Sequence, residues 1–211
     1  MHLKTGDILL FDYKGKGPFG FFTRAIKYFT KSEYSHVAMV LKDPTFIHPS
    51  LKGTYVWESS WEGKSDPQDG EIKLGVQITP FLEIYDVYKE HSSSIVLRRV
   101  HCNPELFSDE NLKKVHDIVY NKPYDIVPKD WIGAITRDDP EPQRINRFWC
   151  SALVGYIYTQ CGLLKPNTDW SNLRASDFSV KYRDNLAYDN GAYLDKNEET
   201  ILSKWIVNPE Q

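Results

Sequence analysis

The sequence predicts an α+β protein in which an antiparallel sheet packs against helices, and three observations lead to this fold class. Several short segments alternate apolar with polar or small residues between turn residues, a pattern typical of strands. Other segments repeat apolar residues at the spacing of an amphipathic helix. The chain has 211 residues and shows neither an internal repeat nor a clear linker, so we expect a single domain over residues 1–211.

The first part of the chain is predicted to be mostly strand. A turn at Gly6 leads into a strand at residues 8–11, and residues 35–41 alternate as a strand does. Residues 54–58 form another strand, expected to pair antiparallel with 35–41. Residues 19–28 space aromatic residues as on an amphipathic helix.

The second part of the chain mixes both periodicities. We predict two strands, at residues 71–78 and 94–100, and two helices, at residues 80–88 and 104–120. Ser108 can cap the main part of the last helix. The core is expected to span about residues 4–165. A C-terminal extension, 166–211, has weak periodicity apart from a strand-like or helical piece at 201–207.

Composition excludes several classes of protein. A net charge of −3 gives no reason to expect a nucleic-acid partner. No segment approaches the ~20 apolar residues that span a bilayer. Lys4, Asp7 and Asp12 interrupt any signal peptide, which makes a cytoplasmic protein the expectation. Three cysteines without Cys-x-x-Cys predict no disulfide framework, and histidines without metal-ligand pairs predict no structural zinc site.

Residues 146–161 are the most informative stretch. Cys150 stands where a helix should begin, followed at helical spacing by Leu153, Val154, Ile157 and Tyr158. A thiol in the first turn feels the positive end of the helix dipole, which lowers its pKa and favours the nucleophilic thiolate. Arg144 and Arg147 act in the same direction. The alternative is a core cysteine, the interpretation given to Cys102 and Cys161.

A thiol nucleophile needs a base, and His36 is the best candidate. It lies near the start of the strand 35–41, beside small residues. If that strand forms a hairpin with 54–58, His36 lies close to Glu58 near the end of the second strand. A carboxylate there would fix the histidine tautomer and favour the imidazolium. The alternatives are a structural histidine and a solvated glutamate.

Four short motifs occur in an order that resembles a known family: Gly6-Asp7-Ile8-Leu9, Tyr34-Ser35-His36-Val37, Pro123-Tyr124-Asp125 and Trp149-Cys150-Ser151-Ala152-Leu153-Val154. Together they resemble the circularly permuted, YaeF/YiiX-like branch of the NlpC-type papain-like cysteine hydrolases. In unpermuted relatives the cysteine helix precedes the histidine strand, whereas here His36 precedes Cys150. The resemblance implies a circularly permuted papain-like fold with the antiparallel sheet packed against the cysteine helix.

The resemblance also implies catalytic roles. Cys150 matches the nucleophile, His36 the general base, and Glu58 the polar residue that orients the histidine. His48 is a rival for this third role, although its place beside Pro49 favours a loop. Gly6 and Asp7 match a motif with a structural role.

Four residues are expected to bind substrate: Tyr34, Tyr124, Asp125 and Trp149. Tyr34 either supplies a hydroxyl to the site or packs in the core. Tyr124 and Asp125 shape the cleft, and Asp125 alternatively contacts a charged substrate group. Trp149 borders the nucleophile.

The implied activity is that of a cysteine-dependent amidase or peptidase acting through a thioester, for which no metal or organic cofactor is expected. Its expected substrate is a small peptide, an acylated amino acid or a lipid amide. One alternative is a lipid acyltransferase or thioesterase that uses the same pair of residues. A second alternative is a non-catalytic binding module. The oligomeric state stays open.

Overall fold

A computed structural model of the protein describes residues 2–15, 32–125 and 143–201. Its main element is a six-stranded sheet with the strand order β4-β3-β2-β1-β5-β8, in which every pairing is antiparallel. The strands of this sheet are β1 (Ile8–Asp12), β2 (His36–Lys42), β3 (Thr54–Ser60), β4 (Gly75–Pro80), β5 (Ser94–Arg98) and β8 (Glu199–Thr200). A small second sheet pairs β6 (Val100–His101) with β7 (Tyr193–Leu194).

Three α-helices lie in the described ranges: α1 (Phe81–Glu90), α2 (Asp109–Val119) and α3 (Cys150–Gln160). The predicted α+β class with an antiparallel sheet is therefore confirmed. None of these helices has the length and apolar character needed to span a bilayer. The helix predicted at 19–28 and most of the piece predicted at 201–207 lie outside the described residues.

The alternation along β2 divides the sheet into two faces, since successive side chains of a strand point to opposite sides. Val37, Met39 and Leu41 lie in the larger core, which contains the buried residues of α2 and α3. Ala38 and Val40 lie in the smaller core, which contains the buried residues of α1. The cysteine helix thus packs on one face of the sheet.

Three predicted elements differ clearly in the structure. The strand predicted at 94–100 divides at Arg99 into β5 and β6. β4 begins only at Gly75, because a turn holds residues 66–71 through a bond from the Asp66 N–H to the Glu71 carbonyl. The segment 104–120 divides into a 3₁₀ helix, Pro104–Phe107, and α2. Ser108 separates them, and its hydroxyl accepts from the Asn111 N–H as a cap of α2.

Gly6 and Asp7 hold the entry into β1. Gly6 has a φ of +90°, which favours glycine, and an added Cβ would clash with the Phe107 ring. The fully buried Asp7 carboxylate accepts the backbone N–H groups of Lys4 and Val100. These contacts agree with a structural role for the motif.

Residues after 165 pack into the same core as the sheet and α3. Their buried apolar members are Trp170, Leu173, Ala175, Phe178, Leu186, Ala192 and Leu194. Arg98, only 1% exposed, donates to the backbone carbonyls of Phe178, Leu194 and Asp195. β8 adds the last strand of the sheet beside β5. The predicted extension therefore contributes both a strand and core residues up to residue 201.

Candidate active site

The candidate site forms where two paired strands separate. β2 and β3 pair as far as Met39 opposite Trp57, and the β2–β3 ladder ends there. β3 continues along β4 to Ser60, while β2 stays paired with β1 to His36. The predicted hairpin is confirmed. At residues 36–38, the edge of β2 that faces β3 is not paired with it.

The N-terminus of α3 lies at this opening. The Ser59 hydroxyl donates to the Phe148 carbonyl over 2.6 Å and fixes the segment that enters the helix. Trp149 is the N-cap residue in an extended conformation, and its side chain makes no capping hydrogen bond. The first turn carries no acidic residue. The positive end of the helix dipole therefore acts on the thiol of Cys150, the first helical residue.

Glu58 and His36 form a hydrogen-bonded pair in which Glu58 is buried and His36 is partly exposed. The Nε2 atom of His36 lies 2.7 Å from Glu58 Oε2, and the Thr79 hydroxyl donates to Glu58 Oε1 over 2.8 Å. Glu58 is 1% exposed, and His36 and Thr79 provide the hydrogen-bond partners that its two oxygens would otherwise find in water. Because Nε2 contacts the carboxylate, Nδ1 is the ring nitrogen left to face a nucleophile.

Cys150 completes the chain of hydrogen bonds. Burial alone would raise the pKa of this thiol, but a hydrogen bond with His36 and its charge lower it. Backbone N–H groups of Val37 and Ser151 also donate to the sulfur and lower the pKa further. Val37 belongs to the part of β2 that has separated from β3. The strand opening thus supplies a donor to the thiolate.

His36 shows the complementary shift. Burial alone would lower its pKa, but hydrogen bonds to Cys150 and Glu58, with their negative charges, raise it to about 10. A thiol pKa lowered from its ordinary value beside a raised imidazole pKa favours a thiolate–imidazolium pair. The three residues predicted as catalytic are therefore brought together in a geometry suited to nucleophilic attack.

Two further residues considered in the sequence analysis, Tyr34 and His48, form hydrogen bonds with groups other than Cys150, His36 and Glu58. The Tyr34 hydroxyl donates to Glu198 Oε2 over 2.8 Å and so ties the start of β2 to the C-terminal segment. His48 is exposed in the loop after β2 and contacts the Ser50 hydroxyl, which agrees with a loop role. The role of Tyr34 toward a substrate stays a prediction.

Tyr124, Asp125 and Trp149 lie at the segment that enters α3, since Tyr124 forms a bridge with Phe148 and the Asp125 N–H donates to the Phe148 carbonyl. Burial raises the pKa of Tyr124, and the negative charges of Cys150 and Asp125 add to this effect. Asp125 is 5% exposed and forms an ion pair with Arg147 over 3.1 Å. Trp149 is 7% exposed and precedes Cys150 directly. The roles of Tyr124, Asp125 and Trp149 toward a substrate stay predictions.

Sequence reasoning missed one acidic residue of the site. Glu62 accepts from the Ser60 hydroxyl over 2.7 Å. Burial and the charge of Glu58 raise its pKa to about 7, while Ser60, His36 and Lys64 oppose this rise. The sequence places Glu62 in a polar loop, and the signal available was its position just after the strand that carries Glu58.

Comparisons with known proteins give a limited result. No protein-family model matches the chain, and no curated protein matches it. Among solved structures, the metalloprotein YiiX from Escherichia coli O157:H7 aligns with 96% of this chain and 98% of its own, at 17% identity and a TM-score of 0.49. Within residues 2–15, 32–125 and 143–201, no group of three or more His, Cys, Asp or Glu side chains is arranged to hold a metal ion.

Proposed function

We propose that this protein is a cysteine hydrolase that cleaves an amide bond of a small peptide or an N-acyl amino acid through a thioester. The observation that carries the proposal is the chain Cys150–His36–Glu58 at the start of α3. Burying a carboxylate costs free energy unless it is paired. Glu58 is buried against a histidine that contacts a thiol, an arrangement that a purely structural role does not require.

The finer fold assignment is part of the same proposal. We infer that the domain is a circularly permuted, NlpC-type papain-like fold. Its support is the chain order, in which the strand with His36 precedes the helix with Cys150. The packing of that helix on one face of the antiparallel sheet also supports it.

Acylation follows from the positions of the three side chains. The Cys150 thiolate attacks the carbonyl carbon, and the electron pair of the C=O bond moves to oxygen. The N–H of Cys150, in the first helical turn, is the proposed oxyanion donor. The His36 imidazolium gives its proton to the leaving nitrogen as the C–N bond breaks, while Glu58 holds the ring.

Deacylation uses the same histidine as a base. Neutral His36 takes a proton from a water molecule, which attacks the thioester carbonyl. The carbon–sulfur bond breaks, the acid is released, and Cys150 returns to the thiolate beside the imidazolium. No step requires an external oxidant or reductant.

The pH dependence of alkylation at Cys150 tests the proposal directly. Iodoacetamide is reacted over a pH series, and labelling of Cys150, Cys102 and Cys161 is read by mass spectrometry in wild type, His36→Ala and His48→Ala. We expect selective labelling of Cys150 at pH values well below ~8.5, which is the pKa of a free thiol. His36→Ala should remove this selectivity, and His48→Ala, an exposed loop variant, should keep it. Slow labelling that is equal at all three cysteines would contradict the proposal.

A second assay separates amide hydrolysis from acyl transfer. Short peptide amides and long-chain acyl esters are incubated with the protein, and the mass added to Cys150 is measured. An acyl adduct from amides that decays in water fits the hydrolase. An adduct formed from esters alone would contradict the amidase: its passage to an added amine would indicate the acyltransferase, and its hydrolysis in water the thioesterase.

A further inference from the structure

A cavity in the C-terminal segment is not used by the proposed chemistry. Its volume is about 460 Å³, which lies in the usual range for sites that bind small molecules. The buried Asn172 and Leu173 form its floor, and the exposed Lys165 and Asp169 belong to its rim. The cavity is therefore open to solvent above and closed by the core below.

The rim presents two opposite charges that do not neutralise each other. Lys165 contributes an ammonium group and Asp169 a carboxylate. Within residues 2–15, 32–125 and 143–201, neither side chain takes part in a salt bridge. A cation and an anion that line one cavity without pairing are suited to a ligand that carries both charges.

The Asp169 carboxylate is held in position from the protein side. The Ser171 hydroxyl donates to Oδ1 over 2.8 Å, and Asn172 Nδ2 donates to Oδ2 over 2.6 Å. An ionised carboxylate offers about four lone-pair positions, so two protein donors leave roughly half of them open. Because Asp169 is exposed, a ligand ammonium group can reach these positions from solvent.

Asn172 has an amide oxygen without a donor. The side chain is 8% exposed, and the bond from Nδ2 to Asp169 fixes which end of the amide is the oxygen. Asn172 Oδ1 and Thr168 Oγ1, both from residues that line the cavity, are buried and find no hydrogen-bond partner among the described residues. Buried polar groups are normally paired, so these atoms indicate a donor that enters with a ligand.

We propose that this cavity binds a short peptide with free termini. The peptide ammonium group pairs with Asp169, the carboxylate pairs with Lys165, and a backbone N–H donates to Asn172 Oδ1. Asn167 and Asn185 line the same cavity, and their amides can donate to and accept from the peptide groups between the two termini.

The floor of the cavity is hydrogen-bonded to the nucleophile helix. The Ser151 hydroxyl donates to the Leu173 carbonyl over 2.6 Å, and Ser151 follows Cys150 directly. Cys150 itself does not line the cavity. A Cys150→Ala variant of the full chain therefore keeps the site and prevents turnover of a bound peptide during a titration.

An NMR titration of ¹⁵N-labelled Cys150→Ala tests the site. The probes are dialanine and trialanine, each also as the N-acetylated and as the C-amidated form. We expect saturable shifts at residues 165–173 and at the Asn172 side-chain amide with at least one free peptide. Acetylation or amidation should each weaken binding by about fivefold or more, because each removes one charge-assisted contact.

Variants of the rim assign each terminus to its partner. In the Cys150→Ala background, Lys165→Gln should weaken the free peptide but not the amidated one, and Asp169→Asn should weaken the free peptide but not the acetylated one. Asp184→Asn removes a carboxylate that is 97% exposed and does not line the cavity, so binding should stay unchanged. Thermal unfolding verifies each variant. Lys165→Gln, at the exposed rim, keeps the test decisive even where Asp169→Asn loses stability.

Three results would overturn the site. They are the absence of saturable shifts with both free peptides, equal affinity for free and blocked peptides, and shifts that cluster away from residues 165–173. None of them bears on the cysteine chemistry, which alkylation of Cys150 tests separately.

Discussion

The two ends of α3 place the same residue type in opposite environments. Cys150 begins the helix and has a lowered pKa, because His36 and two backbone N–H groups outweigh the effect of burial. Cys161 caps the other end, and burial with the nearby Cys102 raises its pKa to about 12. Both side chains are buried. Burial therefore does not decide thiol reactivity in this protein; the donors and charges that meet the sulfur do.

The helix dipole increases the difference between the pKa values of the two thiols. Its positive end favours a thiolate at Cys150, and its negative end disfavours one at Cys161. The difference between the two cysteines can thus be tested by removing each in turn and by changing the groups around Cys150.

The largest expected effect is that of Cys150→Ala. Removing the nucleophile should lower kcat by about four orders of magnitude or more, as for other covalent catalysts. Cys161→Ala should leave kcat unchanged and lower stability by about 1 kcal/mol, because it removes one buried sulfur. Turnover assays and urea unfolding of both variants provide the measurement. Full activity in Cys150→Ala would show that Cys150 is not the nucleophile.

The pH profile should show the raised pKa of His36. Acylation needs the imidazolium, so kcat/KM should stay high as pH rises past ~6.5, the free histidine value, and fall only near pH 10. On the acid side, the rate should fall as pH drops through the lowered pKa of Cys150. The same shift stabilises the fold fully below ~6.5, and this contribution is lost as pH rises through about 10. A basic limb near pH 6.5 would show that the ion pair does not form.

Glu58→Gln should have an intermediate effect on the site. The neutral amide keeps the size of the side chain but removes the charge that favours the imidazolium, so the pKa of His36 falls and that of Cys150 rises. We expect kcat/KM to fall by about 10- to 100-fold and the basic limb to move to lower pH. Thr79→Val, which removes only the bond to Glu58 Oε1, should move both quantities in the same direction by less. Unchanged profiles in both variants would separate Glu58 from the chemistry.

The sequence predicts the parts of the site that depend on local periodicity. Cys150 follows from the helical spacing after it, and the proximity of His36 and Glu58 follows from two alternating segments that form a hairpin. Glu62 lies beyond the end of β3, where no periodicity indicates the direction of a side chain. The donor at Val37 depends on the separation of β2 from β3, and this separation has no signature in the residues themselves.

The C-terminal segment was difficult to predict for a related reason. Residues 170–185 form three short 3₁₀ helices, which lack the long apolar repeat of an α-helix. Their buried residues, such as Trp170 and Phe178, reach the core one at a time. The buried Arg98 also has backbone carbonyls as partners, and a sequence pattern does not reveal such partners.

The smallest expected effect on chemistry comes from the middle of α3, at Gly155. A Cβ added there would lie 2.6 Å from Leu173 Cδ1 and 3.1 Å from Trp170 Cβ, so the helix and the C-terminal segment must move apart. We expect Gly155→Ala to lower the free energy of unfolding by about 1–3 kcal/mol, the usual range for overpacking. In the folded protein the labelling selectivity for Cys150 should persist, because His36, Val37 and Ser151 are untouched. Ser151 also donates to the Leu173 carbonyl, however, and so links this contact to the residue that follows the nucleophile. A loss of selectivity in Gly155→Ala, measured by alkylation under native conditions, would show that the packing of the C-terminal segment sets the position of the thiol.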